Sequence, residues 1–240
     1  TLENEYIESV WWTFKKAHEK GLLYHGTYPV HACPHCVTAV AFNEIVYTKQ
    51  TDTAIYVKFK VIGKENTFLV IWTTTPWTLP GNTGVMAHPN YEYAEVQMPN
   101  GEKWLMAKDR VQPVMTETGI ANGRAVMYSV ARTFKGTELE NWKYENPLAS
   151  HMKLPPLQNA YRVIPNERYV NLQEGTGLVH SAPGHGKEDF EAGKKAGLPV
   201  ITPVELNGTL KQETGKYAGK KAREVDKEII EDLRAMNALV

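Results

Sequence analysis

This sequence predicts a mainly β fold with peripheral helices (α+β), its strands curled into a closed or nearly closed barrel. Three observations predict it. Short apolar runs alternate with glycine and proline turns from Asn43 to about Val204, 42% of the 240 residues are apolar, and the two strongest helical patterns lie at the ends of the chain. A chain of this kind buries a real core. Its texture divides it into residues 1–42, a helix and a Cys-x-x-Cys segment; residues 43–205, the β-rich body; and residues 206–240, which end in an amphipathic helix.

Residues 4–20 place Ile7, Val10, Trp11, Phe14 and His18 on one helical face, with Asn4 as cap and Gly21 as stop. Trp11 and Trp12 are adjacent and cannot face the same core, so one of them packs on something beyond this helix. Gly21–Val30 reads as a strand feeding Cys33 and Cys36. That spacing is short for a structural disulfide and supplies two of the four ligands of tetrahedral zinc. The chain has no other cysteine. His31 and His35 are the local candidates to complete a set, at the cost of a strained turn, and a thioredoxin-like redox role lacks the strand–helix pattern it needs.

In the body, Ile55, Val57, Phe59 and Val61 alternate with Tyr56, Lys58 and Lys60, as in a half-buried strand, and Gly63–Asn66 turns the chain into the run ending at Trp72. Residues 91–98 and 103–107 flank an Asn-Gly hairpin turn. Further strands are expected at Ala125–Ala131, Tyr161–Pro165 and Tyr169–Val170, and a docked irregular segment at Leu139–Leu148. From Lys220, apolar residues at Ala222, Val225, Ile229, Leu233, Met236 and Val240 predict a helix of about five turns.

Lysine plus arginine and aspartate plus glutamate number 27 each. This balance excludes a self-sufficient nucleic-acid binder, so any such contact is local or shared with other parts. No run is long enough to span a membrane and no leader pattern opens the chain, so a cytoplasmic location is expected.

Two stretches carry chemistry. Trp72-Thr73-Thr74-Thr75-Pro76-Trp77-Thr78-Leu79-Pro80-Gly81-Asn82 crowds four threonines and two tryptophans into a strand end that Pro76 and Pro80 break. Threonines that merely favour strands and cap turns are the plain alternative. Gly175-Thr176-Gly177-Leu178-Val179-His180-Ser181-Ala182-Pro183-Gly184-His185-Gly186-Lys187-Glu188-Asp189-Phe190 is a second glycine-punctuated strand and loop entering a helix at Lys187, and the two could wall one pocket. Ser181 lies beside His180 in sequence, but no nucleophile elbow surrounds it. His180, His185 and Asp189 are types that hold catalytic zinc, but Gly184 and Gly186 flank His185 and break the helical spacing.

Together the two stretches resemble the editing domains of isoleucyl-tRNA synthetases, class I aminoacyl-tRNA synthetases that proofread in translation by hydrolysing valine wrongly attached to isoleucine tRNA. Valyl and leucyl relatives carry an arginine and an acidic residue in place of Thr75 and Trp77, and an Ala-His-Asp segment in place of Pro183–Gly186. The resemblance covers nearly the whole chain and implies a β-barrel editing domain of the valyl/leucyl/isoleucyl type. It implies Thr73, Thr74, Thr75, His180 and Asp189 as catalytic residues, and Trp72, Trp77, Thr78, Asn82, Gly177, Val179 and His185 as substrate-binding residues. Asp189 is the anion for the α-ammonium; the threonines meet the ester carbonyl or the 3′-terminal adenosine. Editing itself implies no cofactor. Cys33 and Cys36 become a zinc half-site whose second cysteine pair lies elsewhere in the parent enzyme. The implied partners are isoleucine tRNA carrying valine and the remainder of the parent, with no membrane, and the fragment is expected to be a monomer. The synthetases' ATP-binding signatures, His-x-Gly-His and Lys-Met-Ser-Lys-Ser, are not found, so ligase activity is left to the parent. The alternative is a non-catalytic barrel that binds tRNA or another protein.

Overall fold

The computed structural model describes residues 1–123 and 125–240. Helix α1 (Asn4–Glu19) forms where the apolar spacing predicts it, but Asn4 is not its cap: Glu3 holds that position and makes no side-chain bond. Gly21 ends it in the left-handed conformation. The strand expected at Gly21–Val30 does not form. Pairing begins only at a two-residue hairpin, β1 (Ala32–Cys33) and β2 (Thr38–Ala39), wrapped around the cysteines.

β3 (Ile55–Val61) and β4 (Thr67–Thr73) pair antiparallel across the predicted turn, with Val57 opposite Ile71 and Phe59 opposite Leu69. Beyond a 3₁₀ helix at Pro76–Gly81 lie β5 (Gly84–Ala87) and the Asn-Gly hairpin of β6 (Glu92–Gln97) and β7 (Lys103–Ala107). Helix α2 (Val111–Ala121) has no counterpart in the sequence pattern, because its apolar residues are not confined to one stripe; Pro113 falls in its first turn, where a missing N–H is tolerated. β8 (Ser129–Lys135) starts at Ser129 rather than Ala125, followed by β9 (Tyr144–Glu145), β10 (Arg162–Pro165), β11 (Leu178–Ser181) and helix α3 (Lys187–Ala196). Tyr169–Val170 forms no strand.

The C-terminal helix is shorter than its periodicity predicts. A 3₁₀ turn at Ala222–Val225 precedes α4 (Asp226–Ala235), and the residues after it bond to β3 instead, Lys58 N–H to Ala238 O at 2.7 Å and Val240 N–H to Tyr56 O at 3.1 Å.

The strands do not close into a barrel. They form a six-stranded sheet, β8–β6–β7–β4–β3–β9, and a three-stranded sheet, β10–β5–β11, joined by the Lys143–Arg162 bridge. The reason lies at Pro76: the chain leaves β4 as a 3₁₀ helix, so β11 lies against β4 by packing rather than by a ladder. The mainly β class with peripheral helices stands.

Strand alternation separates three apolar clusters. The main core, including Phe59, Leu69, Ile71, Leu105, Val163 and Leu178, fills the space between the sheets, capped by Ile229 and Leu233 of α4. Each such side chain contributes about 1.5–3 kcal/mol on burial. Val70, Val96 and Met106 face α2 on the outside of the larger sheet, and Met86 and Ile164 face Ala192 of α3 on the outside of the smaller. Lys58, on the β3 face opposite the main core, is buried with Glu102, the pair meeting at 2.8 and 2.9 Å while Trp104 Nε1–H donates to the same carboxylate.

Candidate active site

β4 ends at Thr73, and the backbone then coils so that three of the four threonines turn their hydroxyls toward one another. Thr73 Oγ1 accepts the Thr75 N–H at 3.0 Å and lies 3.3 Å from Thr75 Oγ1, which is 3.3 Å from Thr78 Oγ1. Thr78 donates to Thr75 O at 2.8 Å. Thr74 is half-buried and stands outside this string. The 3₁₀ helix that carries Trp77 and Thr78 has no side-chain cap of its own; Asp226, in the first turn of α4, supplies one by accepting the Trp77 N–H at 2.7 Å.

The second motif is fastened by residues far from it in sequence. Arg110 donates to Gly175 O and Gln173 O, and Tyr93 donates to Gly177 O at 2.7 Å. Gly177 has φ +74° and its α-carbon faces Ala107, so a side chain there would be both strained and obstructed. β11 then alternates. His180 turns toward the threonine loop, while Val179 points the other way, into the cluster of Met86 and Ile164, so the structure does not bring Val179 to His180. Gly184 passes so close to Ile201 O that a Cβ would clash.

His180 is buried and joins the two motifs: its Nε2 lies 3.0 Å from Thr78 Oγ1 and its Nδ1 3.4 Å from Asn82 Nδ2. Burial, with His185 nearby, pushes its pKa down to about 4, so it is neutral at physiological pH. Asn82 is fully buried and bound to Tyr144 OH and Gly84 O. His185 packs edge-on against the Trp77 ring at 5.1 Å, and its buried Nε2 has no partner among the described residues; burial pushes its pKa down to about 4. Both rings line a cleft of about 980 Å³, with Tyr28, Lys211 and Arg223 among its walls. Trp72 is half-buried against Gly175, away from the hydroxyl string.

Asp189 stands in the first turn of α3 and accepts the Ala182 N–H at 3.2 Å. Burial raises its pKa to about 6, which the Ala182 bond partly offsets and Glu188 increases. It has no ion-pair partner among the described residues. Desolvation of this half-buried carboxylate favours a cation brought beside it.

Cys33 and Cys36 sit in the β1–β2 hairpin, where the Cys36 N–H points at Cys33 Sγ at 3.4 Å. The backbone N–H groups of Cys36 and His35 hold the Cys33 thiol below its ordinary value. Two thiols offered from one tight turn suit half of a tetrahedral shell. No group of three or more histidine, cysteine, aspartate or glutamate side chains gathers for a metal among the described residues, around the cysteines or around His180, His185 and Asp189.

Tyr144, Asp226, Tyr93 and Arg110 are missed by sequence reasoning. Nothing local marks them: Arg110 and Asp226 stand in charged runs, and Tyr93 and Tyr144 each adjoin a glutamate, as many solvent-facing residues do.

The profile of tRNA synthetases class I (I, L, M and V) matches residues 1–223. Isoleucine–tRNA ligases of Saccharolobus solfataricus, Methanosarcina acetivorans and Pyrococcus abyssi are 46%, 45% and 47% identical to it over 100% of this chain, which spans only 24%, 22% and 23% of their lengths. Among solved structures, GlLeuRS-CP1 superposes with a TM-score of 0.58 at 14% identity, covering 78% of this chain and 98% of that one. The Plasmodium knowlesi cytosolic leucyl-tRNA synthetase editing domain gives 0.51 at 10%, covering 78% and 94%. These structures share the fold, and the match to the profile runs through both motifs: the chain belongs to the class I tRNA synthetases (I, L, M and V).

Proposed function

We propose that this chain is an aminoacyl-tRNA editing domain that hydrolyses valine misattached to isoleucine tRNA, and valyl-adenylate as a second substrate. Isoleucine against valine is the standard worked case of limited discrimination: one missing methylene is worth only about a hundred-fold, so a second site must destroy the smaller product. One observation carries the reading: two motifs 102 residues apart meet in a single hydrogen-bonded string, Thr73–Thr75–Thr78–His180.

In this reading Asp189 takes the α-ammonium of the ester through a charge-assisted bond worth about 1.5–3 kcal/mol. Trp77 and His185 narrow the cleft against the extra methylene of isoleucine, and Thr74 remains available to the carbonyl or the terminal adenosine. Both ring nitrogens of His180 face protein groups, so water is positioned by the hydroxyl string and the free ribose hydroxyl rather than deprotonated by this imidazole. Residues 43–205 are the editing body. Residues 1–42 and 206–240 lead toward the remainder of the parent, where Cys33 and Cys36 meet their further zinc ligands.

The test is deacylation of valyl-tRNA and isoleucyl-tRNA side by side. The reading requires faster loss of valine; equal rates, or no hydrolysis above buffer by the chain alone and within its parent, would overturn it and leave a binding module.

A further inference from the structure

Asn82 belongs to the threonine-rich motif, yet its amide meets only protein. Its Nδ2 faces Gly84 O at 2.8 Å and Ser181 O at 3.4 Å. Carbonyls only accept, so the NH₂ group must be the atom on that side, and Oδ1 accepts from Tyr144 OH at 2.7 Å. The same NH₂ lies 3.4 Å from His180 Nδ1, which must therefore be the unprotonated ring nitrogen. The other end of the ring is compatible with the same tautomer. With the Thr78 hydroxyl donating to Thr75 O at 2.8 Å, its oxygen accepts from His180 Nε2–H at 3.0 Å.

We propose that Asn82 is a positioning residue: it holds His180 as the Nε2–H tautomer and thereby fixes the donor direction of the whole hydroxyl string. With the Thr78 proton committed, Thr75 donates to Thr78 and Thr73 donates to Thr75. Every hydroxyl proton is used internally, and what Thr73 and Thr75 still offer is lone pairs. Such a surface orients a hydrogen-bearing ligand, a water or an ammonium, and does not bind an oxyanion. With the opposite tautomer Thr78 would turn to donate to His180, and the polarity of the string would be released.

The kinetic part rests on the editing reading; the tautomer does not. Histidine-labelled chain, with the His180 signals assigned by their loss in His180→Gln, should show by ¹⁵N NMR at neutral pH a ring protonated on Nε2 alone. Thr78→Val removes the Nε2 acceptor but leaves Asn82, and should keep that tautomer. Asn82→Asp replaces the donor with an acceptor, and should move the proton to Nδ1 while lowering kcat for valyl-tRNA about 10- to 100-fold with KM little changed. A ring protonated on Nδ1 or mixed in the unsubstituted chain, or a tautomer lost in Thr78→Val, overturns the proposal even if Asn82→Asp does not fold. An unsubstituted chain with the expected tautomer but no deacylation would sink the editing reading and leave this assignment standing.

Discussion

Residues 1–54 and residues 55–240 are built from equally apolar patterns and end differently. Helix α1 has an amphipathic stripe as clear as that of α4, yet it buries nothing, leaving Trp11, Trp12 and Phe14 at 68, 61 and 48% exposure, whereas Ile229 and Leu233 of α4 are fully buried. The difference is not propensity. α4 lies over the open end of the core between two sheets, and α1 has no comparable surface among the described residues. Periodicity specifies that a face needs a partner; it does not say where the partner is.

The sharpest way to break this comparison is to damage each region in turn. Phe59→Ala, in the stack with Tyr144 at 5.0 Å, should destabilise the body by about 3–5 kcal/mol, read from the denaturation midpoint. If the loss is under about 1 kcal/mol, the core between the two sheets is not what holds residues 55–240 together.

Asp189→Ala comes next, with a fall of about 10- to 100-fold or more in valyl-tRNA hydrolysis and an unchanged circular dichroism spectrum. Glu188→Ala, one residue away and exposed, should leave the rate alone. Equal effects from both would reduce Asp189 to one more acidic residue in a helix's first turn.

The pH dependence sharpens the same point. Hydrolysis should rise as pH passes about 6 and Asp189 ionises, and Asp189→Asn should abolish that step; His180 and His185, both pushed down to about 4, should add none near the usual imidazole value. Stability runs the opposite way. A carboxylate raised from 3.8 to about 6 in the folded state favours folding in its protonated form, below 3.8, and that contribution is lost as pH rises through 6. Asp189→Asn should therefore be more stable than the parent above pH about 7, and the gap should close toward pH about 4.

The smallest effect belongs to the N-terminal region. Trp11→Ser with Trp12→Ser should change the stability of the isolated chain by no more than about 0.5 kcal/mol. A larger drop would mean that α1 has a partner within these residues.

Much of the fold was legible because it rests on local rules. Alternation in Ile55–Val61, the Asn-Gly turn between β6 and β7, and the helix start at Lys187 need only a few neighbouring residues to be specified. The two motifs were legible as well, since proline and glycine punctuation marks them in the chain itself. Tertiary structure alone decided the rest. Whether the strands close depends on where Pro76 sends the chain in three dimensions, the C-terminal residues leave their helix because β3 has bonds to offer, and Lys58 is buried because Glu102 reaches it. Tyr144 and Asp226 enter the site from 62 and 149 residues away. A hydrogen bond over such a separation leaves no trace in local spacing, so the sequence determined which residue types the two motifs carry, and the packing of distant elements decided which groups hold them in place.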